Sequence, residues 1–101
     1  MKPPSNWIEV KDGKRYDVSK AILLAGDDYW DGRNFERHGR NTFLYRSPKG
    51  NYFAIRLTRW QGESDALQPL TQDEAITLWG NLPEKRLSFE EAFPGVTVED
   101  A

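Results

Sequence analysis

The chain of 101 residues has no cysteine, a single methionine and a single histidine. Without cysteine it has no disulfide, no thiolate nucleophile and no cysteine-ligated zinc site. Its longest apolar run, residues 21–25, is far shorter than the roughly 20 residues of a membrane-spanning helix. No apolar signal region follows the first four residues. We therefore expect a cytoplasmic protein with no membrane partner.

Aromatic and charged side chains are abundant. The chain has 4 Trp, 4 Tyr and 5 Phe, and 30% of its residues are charged. The aromatic side chains supply enough apolar area for a core, and the length fits one domain. We expect a single α+β domain over residues 1–95, followed by a loose tail over residues 96–101.

The first part of the chain predicts a hairpin and then a helix. Residues 7–11 alternate between apolar and polar side chains, and Asp12-Gly13 is a favoured two-residue hairpin turn. Asp17 is a potential N-cap for a helix that begins at Val18. Apolar residues at positions 18, 21, 22 and 25 form one helical stripe, which Gly26 ends.

The rest of the chain predicts a sheet and two further helices. Strands over residues 42–46 and 51–60 flank the turn Ser47–Gly50, and an edge strand covers residues 66–70. Pairing of Arg46 with Asn51 would place Tyr45 opposite Tyr52, unless a bulge at Gly50 shifts the register by one residue. Capping boxes, Thr71 to Glu74 and Ser88 to Glu91, open the two helices. The predicted order is β-β-α-β-β-β-α-α, a small antiparallel sheet with helices on at least one face.

No constellation of residues predicts catalysis. His38 is the only histidine, and no serine lies in a motif that indicates a nucleophile. The acidic pairs at positions 73–74 and 90–91 lie in first helical turns, where the helix dipole favours negative charge. No calcium-loop or zinc-ligand spacing is present. We expect a protein that is not an enzyme and that has no cofactor or metal.

Charge is unevenly distributed along the sequence. Residues 32–60 contain seven basic and one acidic side chain, whereas residues 61–101 contain two basic and nine acidic ones. One hypothesis is a protein-binding module whose acidic surface occupies an arginine-lined channel of a nucleic-acid-processing complex. Its candidate contacts are Asp27, Asp28, Asp31, Glu63, Asp65, Glu84, Glu90 and Glu91. The acidic and basic segments could instead neutralise each other.

The alternative hypothesis is a single-stranded nucleic-acid-binding module. Residues 49–57 loosely match a signature in which aromatic side chains on strands stack on bases. Arginine and lysine side chains of the same region would contact phosphates. The candidate residues are Arg33, Arg37, Arg40, Tyr45, Arg46, Lys49, Tyr52, Arg56 and Arg59.

Several short segments resemble a group of small bacterial proteins of plasmids and prophages, for which no function is established. The segments are Asp12-Gly13-Lys14-Arg15-Tyr16-Asp17, Leu44-Tyr45-Arg46, Lys49-Gly50-Asn51-Tyr52-Phe53, Trp60-Gln61-Gly62-Glu63, Pro69-Leu70-Thr71, Glu74-Ala75, Glu91, Phe93 and Gly95. The resemblance implies an accessory protein of a mobile element, such as an inhibitor of host defence of the anti-CRISPR kind. It implies no catalytic residue.

Overall fold

A computed structural model describes residues 2–27 and 39–97 of the protein. In chain order these residues form β1 (Ile8–Lys11), β2 (Lys14–Asp17), a 3₁₀ helix (Val18–Lys20), β3 (Ile22–Gly26), β4 (Arg40–Arg46), β5 (Tyr52–Thr58), β6 (Ala66–Leu70), α1 (Gln72–Asn81), β7 (Glu84–Lys85) and α2 (Phe89–Ala92). Within the described ranges, no helix has the length and apolar character needed to cross a membrane.

Five of the strands form one antiparallel sheet in the order β6-β5-β4-β3-β7, and β1 pairs only with β2. The predicted α+β class, with an antiparallel sheet and helices on at least one face, is confirmed. The predicted hairpin turn is also confirmed. Asp12 and Gly13 both have positive φ, 52° and 77°. This is the combination that a two-residue type I′ turn requires.

The register of the β4–β5 hairpin differs by one residue from the simple pairing, as a bulge at Gly50 would cause. Tyr45 pairs with Phe53, and Arg46 pairs with Tyr52. The Ser47 amide donates to the Asn51 carbonyl at 2.8 Å, so the loop has three residues, and its last residue, Gly50, has φ 85°. A glycine at this position accepts the left-handed conformation without steric cost.

This register gives β4 and β5 two apolar faces. One face carries Phe43, Tyr45, Phe53, Ile55 and Leu57, all buried. The pairing that places Tyr45 opposite Tyr52 does not occur, because the bulge moves Tyr52 to the opposite face. There it lies with Leu44 in the core beneath the helices. Each apolar face therefore has to be shielded from water by another element of the fold.

The β1–β2 hairpin covers the first face. Tyr16 of β2 packs edge-on against Phe53, with ring centroids 5.3 Å apart, and Tyr45 stacks on Phe53 at the same separation. Lys11 of β1 donates from Nζ to the Leu67 carbonyl at 2.7 Å. Because β6 is an edge strand, this lysine protects one of its backbone acceptors from pairing with another chain.

Residues 18–25 do not form the predicted helix. Asp17 does cap a helical turn at Val18, but the turn is a 3₁₀ helix that ends at Lys20. The chain then becomes β3, which lies between β4 and β7, with Leu24 and Ala25 fully buried. A short apolar run is compatible with both a buried helix and a buried strand, and here sheet pairing decides.

The helices cover the second face. Both predicted capping boxes are present, Thr71 with Glu74 and Ser88 with Glu91. Phe93, which follows α2, is buried against Tyr52 with ring centroids 5.2 Å apart. The chain is packed as far as Val96, which is partly buried against the same core.

We predict that Phe53→Ala lowers the free energy of unfolding by about 3–5 kcal/mol, because it leaves a cavity between Tyr16 and Tyr45. Urea unfolding followed by tryptophan fluorescence measures the change. Ile8→Ala is the control, because Ile8 is 56% exposed and its truncation is expected to have little effect. A loss for Phe53→Ala no larger than that of the control would contradict the assignment of Phe53 to the core.

Candidate functional site

The predicted acidic contacts do not form one free surface. The Asp27 carboxylate accepts a hydrogen bond from the Thr42 amide at 2.7 Å and another from the Asn41 side chain at 3.2 Å. The Asp27 carboxylate thus satisfies hydrogen-bond donors at the start of β4, where the side chain of Asn41 is buried. Asp28 and Asp31 lie outside the described residues.

Glu63 and Asp65 organise the connection between β5 and β6. The Glu63 carboxylate accepts from Arg40 Nε at 3.1 Å and from the Thr58 hydroxyl at 2.6 Å. These bonds lower the pKa of Glu63 to about 2, with the Arg40 contact as the largest cause. Asp65 accepts from the Thr58 amide at 2.8 Å. Arg40 also lies over the Trp60 ring, 4.8 Å from its centroid.

The remaining acidic candidates lie in β7 and at the start of α2. Glu84 forms an ion pair with Arg86 at 2.9 Å, and Glu91 accepts the Ser88 amide in its capping box. Hydrogen bonds from the Ser88 amide and hydroxyl lower the pKa of Glu91. Glu90 is exposed beside it. Apart from Glu90, the acidic candidates in the described ranges have intramolecular partners.

The structure also corrects the expected base-stacking surface. Tyr45 is 6% exposed and Tyr52 is 8% exposed, on opposite faces of the sheet. Each ring packs against a phenylalanine, Tyr45 on Phe53 and Tyr52 on Phe93. Neither tyrosine presents a free face to a nucleic-acid base.

Most described arginine candidates bind within the fold. Arg40 holds Glu63, as above, and Arg46 donates to the Glu91 and Ala92 carbonyls at 2.8 and 2.6 Å. Arg56 donates to the Gln68 side-chain oxygen at 3.2 Å. Arg59 is exposed after β5. Arg33, Arg37 and the single histidine, His38, lie outside the described residues.

Lys49 differs from these arginines because it lines a cleft between two turns. The β1–β2 turn and the 3₁₀ helix form one wall of the cleft, and the β4–β5 turn forms the other. Its volume is about 340 Å³. The residues that line it are Gly13, Lys14, Arg15, Asp17, Lys20, Ser47, Pro48, Lys49 and Asn51.

The cleft concentrates positive charge. Four of its lining side chains are cationic, those of Lys14, Arg15, Lys20 and Lys49, and only Asp17 is anionic. Lys14 donates to the Asn51 side chain at 3.3 Å, which joins the two walls. The other three cations are exposed and have no hydrogen bond or ion pair with the described part of the chain. Their charge is available to a ligand.

Neutral hydrogen-bonding groups lie between the cations. The Ser47 hydroxyl oxygen accepts the Asn51 amide at 3.0 Å, and its own proton has no acceptor among the described residues. The Asn51 side-chain oxygen is used by Lys14, which leaves the amide nitrogen as a donor. Cations together with a hydroxyl and an amide donor suit the oxygen atoms of a phosphate group.

Of the four cations that line the cleft, the sequence patterns indicated only Lys49 as a binding residue. Lys14, Arg15 and Lys20 were missed because they lie in the nearly charge-balanced first third of the chain, where five basic residues accompany six acidic ones. A usable signal was present, since both turns were predicted. Their proximity depends on the packing of the β1–β2 hairpin across the sheet, which no local pattern encodes.

No family model, curated protein or solved structure matches the chain. Within residues 2–27 and 39–97, no group of three or more acidic or histidine side chains is arranged to hold a metal ion.

We predict that Glu63→Gln lowers stability at pH 7, because it removes the ion pair with Arg40. The folded-state pKa of Glu63 is about 2, below its ordinary value of 4.5. The contribution of Glu63 is therefore fully present above pH 4.5 and is lost as the pH falls toward 2. Urea midpoints of the two proteins should differ at pH 7 and converge near pH 2. A gap that is the same at both pH values would contradict the ion-pair assignment.

Proposed function

We propose that the chain is a non-enzymatic module that binds the phosphate backbone of single-stranded nucleic acid in the cleft between its two turns. The observation that carries this proposal is the convergence of four cations and one carboxylate on one concave surface. Three of the cations form no hydrogen bond or ion pair with the described residues, so a polyanion would displace mainly water and counterions.

The size of the cleft favours a single strand over a duplex. A volume of about 340 Å³ between two tight turns accommodates a nucleotide-sized portion of a strand. Duplex-binding domains instead present a helix or ribbon to a groove, over a much larger area. Because Tyr45 and Tyr52 are buried, the proposed contact involves phosphates and no stacking on those rings. Binding should therefore be independent of sequence and sensitive to salt.

The composition of the cleft supports binding without a reaction. Its ionisable groups are three lysines, one arginine and one carboxylate. The Asp17 carboxylate accepts the Ser19 hydroxyl at 2.7 Å, but Ser19 does not line the cleft. Ser47, which does line it, has its oxygen engaged by the Asn51 amide. No nucleophile in the cleft is thus paired with a general base.

Docking of a protein partner through the acidic residues stays a second proposal. It is favoured by Glu90, an exposed carboxylate in the first turn of α2 without a partner among the described residues. A partner would be a lysine- and arginine-rich surface of a host defence complex, as the resemblance to mobile-element proteins implies. Arg46, which donates to the Glu91 and Ala92 carbonyls, reduces the acidity of this surface.

For the first proposal, we predict that a fluorescent single-stranded oligonucleotide binds at low salt and is released as salt increases. The logarithm of the binding constant should fall with the logarithm of salt concentration with a slope of about −0.7 per phosphate contact. Replacing Lys20 or Lys49 by Gln should weaken binding to all sequences and reduce the slope by roughly one contact. Fluorescence anisotropy titrations measure both quantities.

The control variant is Arg86→Gln, which removes one positive charge that pairs with Glu84 and does not line the cleft. Its binding should match that of the unaltered protein, because Arg86 is not among the residues that line the cleft. Absence of binding at low salt would disprove the proposal. Equal losses for Arg86→Gln and Lys49→Gln would show that net charge, and not the cleft, governs binding.

For protein docking, we predict that Glu90→Lys abolishes capture of purified CRISPR or restriction complexes on the immobilised protein. Reversal of this charge places a lysine against the basic partner surface, where repulsion opposes docking. Asp73→Lys, at the corresponding position of α1, is the control and should retain capture. Failure of the unaltered protein to capture any such complex would remove this proposal.

A further inference from the structure

Asp17 is the one feature of the cleft that a pure phosphate site does not explain. A carboxylate beside bound phosphate repels it, so a site for phosphate alone would be better with a neutral residue here. The Asp17 side chain lines the cleft together with Lys14, Arg15 and Lys20. Its presence there indicates a ligand that offers a hydrogen-bond donor as well as phosphate oxygens.

The local role of Asp17 uses only half of its carboxylate. The Ser19 amide donates to Oδ1 at 3.0 Å, and the Ser19 hydroxyl donates to the same atom at 2.7 Å. The second oxygen, Oδ2, has no hydrogen bond with the described residues. Hydrogen bonds from Ser19, with added effects of Lys20 and Arg15, lower the pKa of Asp17. The carboxylate is therefore anionic at neutral pH, and it is an acceptor only.

We infer that the strand bound in the cleft is RNA, and that Asp17 accepts a hydrogen bond from a ribose 2′-hydroxyl while the neighbouring cations hold the adjacent phosphate. This inference rests on the proposed function and adds the substrate class. A 2′-hydroxyl is the group that distinguishes RNA from DNA, and it lies within one nucleotide of a backbone phosphate. Carboxylates recognise ribose hydroxyls in the same way in dinucleotide-binding folds.

The cleft then divides the recognition of one nucleotide between two kinds of group. Lys20, Lys49 and the Ser47 hydroxyl supply donors for phosphate oxygens, and Asp17 supplies the acceptor for the sugar. DNA would leave the acceptor without a partner and would retain the repulsion between carboxylate and phosphate. Discrimination therefore comes from an unfavourable contact with DNA as well as from a favourable contact with RNA.

The test compares three oligonucleotides of one sequence at low salt: RNA, DNA, and RNA with 2′-fluoro in place of each 2′-hydroxyl. The fluoro strand keeps an RNA-like sugar conformation but cannot donate a hydrogen bond. We expect RNA to bind about three- to tenfold more tightly than either other strand, as one hydrogen bond allows. If the fluoro strand binds as tightly as RNA, strand conformation causes the preference and the role of Asp17 is disproved.

The variant that tests Asp17 directly is Asp17→Ser. Serine is an equally good N-cap, so the 3₁₀ helix is retained, but its side chain is shorter and carries no charge. The ratio of RNA to DNA affinity should fall to about one. The affinity for DNA should rise, since a repulsive charge is removed. Retention of the full RNA preference in Asp17→Ser would overturn the assignment.

Asp12→Asn separates this specific effect from the loss of a negative charge. Asp12 lies in the same hairpin turn but does not line the cleft, and asparagine tolerates its φ of 52°. We expect tighter binding of both RNA and DNA with an unchanged ratio. If neither nucleic acid binds the unaltered protein, the proposed function fails and this inference fails with it. If both bind equally well, only the inference about RNA fails.

Discussion

The packing of Phe53 against Tyr16 is the contact on which the rest of the structure depends. Phe53 is fully buried at the centre of a hairpin that is apolar on both faces. Of the described elements, α1 and α2 cover one of those faces, and the β1–β2 hairpin lies across the other. Tyr16 anchors it there, and its turn is thereby placed beside the β4–β5 turn. The cleft therefore results from the packing of the β1–β2 hairpin on the sheet.

The same arrangement explains how an acidic protein acquires a basic cleft. The formal net charge is −2, yet the carboxylates of Asp27, Glu63 and Glu91 stabilise strand ends, a loop and a helix start. These carboxylates bind donors within the fold, so their negative charge is largely compensated locally. The cations that line the cleft form no ion pair with the described residues, and of these cations only Lys14 forms a hydrogen bond, to Asn51. Local charge at the cleft therefore differs in sign from the charge of the whole chain.

Local sequence patterns were sufficient to predict the turns and the helix caps, because the interactions that form them lie within four residues. Asp12-Gly13 and the two capping boxes formed as predicted. The helix expected from Val18 did not form, because pairing of β3 with β4 and β7 outweighs two turns of helical periodicity. The cleft could not be predicted for a related reason. It joins Lys14 to Asn51, 37 positions apart, through a contact that only tertiary packing creates.

The geometry of the turns also bears on the strength of the proposed binding at the cleft. Both turns close paired hairpins, and the Ser47 amide donates to the Asn51 carbonyl at 2.8 Å, so little backbone entropy would be lost when a ligand enters. The lysine side chains are exposed, and each loses rotamer freedom on contact with a phosphate. For the proposed ligand, a preorganised backbone with exposed lysine side chains favours weak and rapidly reversible attachment. Contacts with the hydroxyl of Ser47 and the carboxylate of Asp17, which hydrogen bonds already hold in place, involve less ordering and are better suited to selecting the ligand.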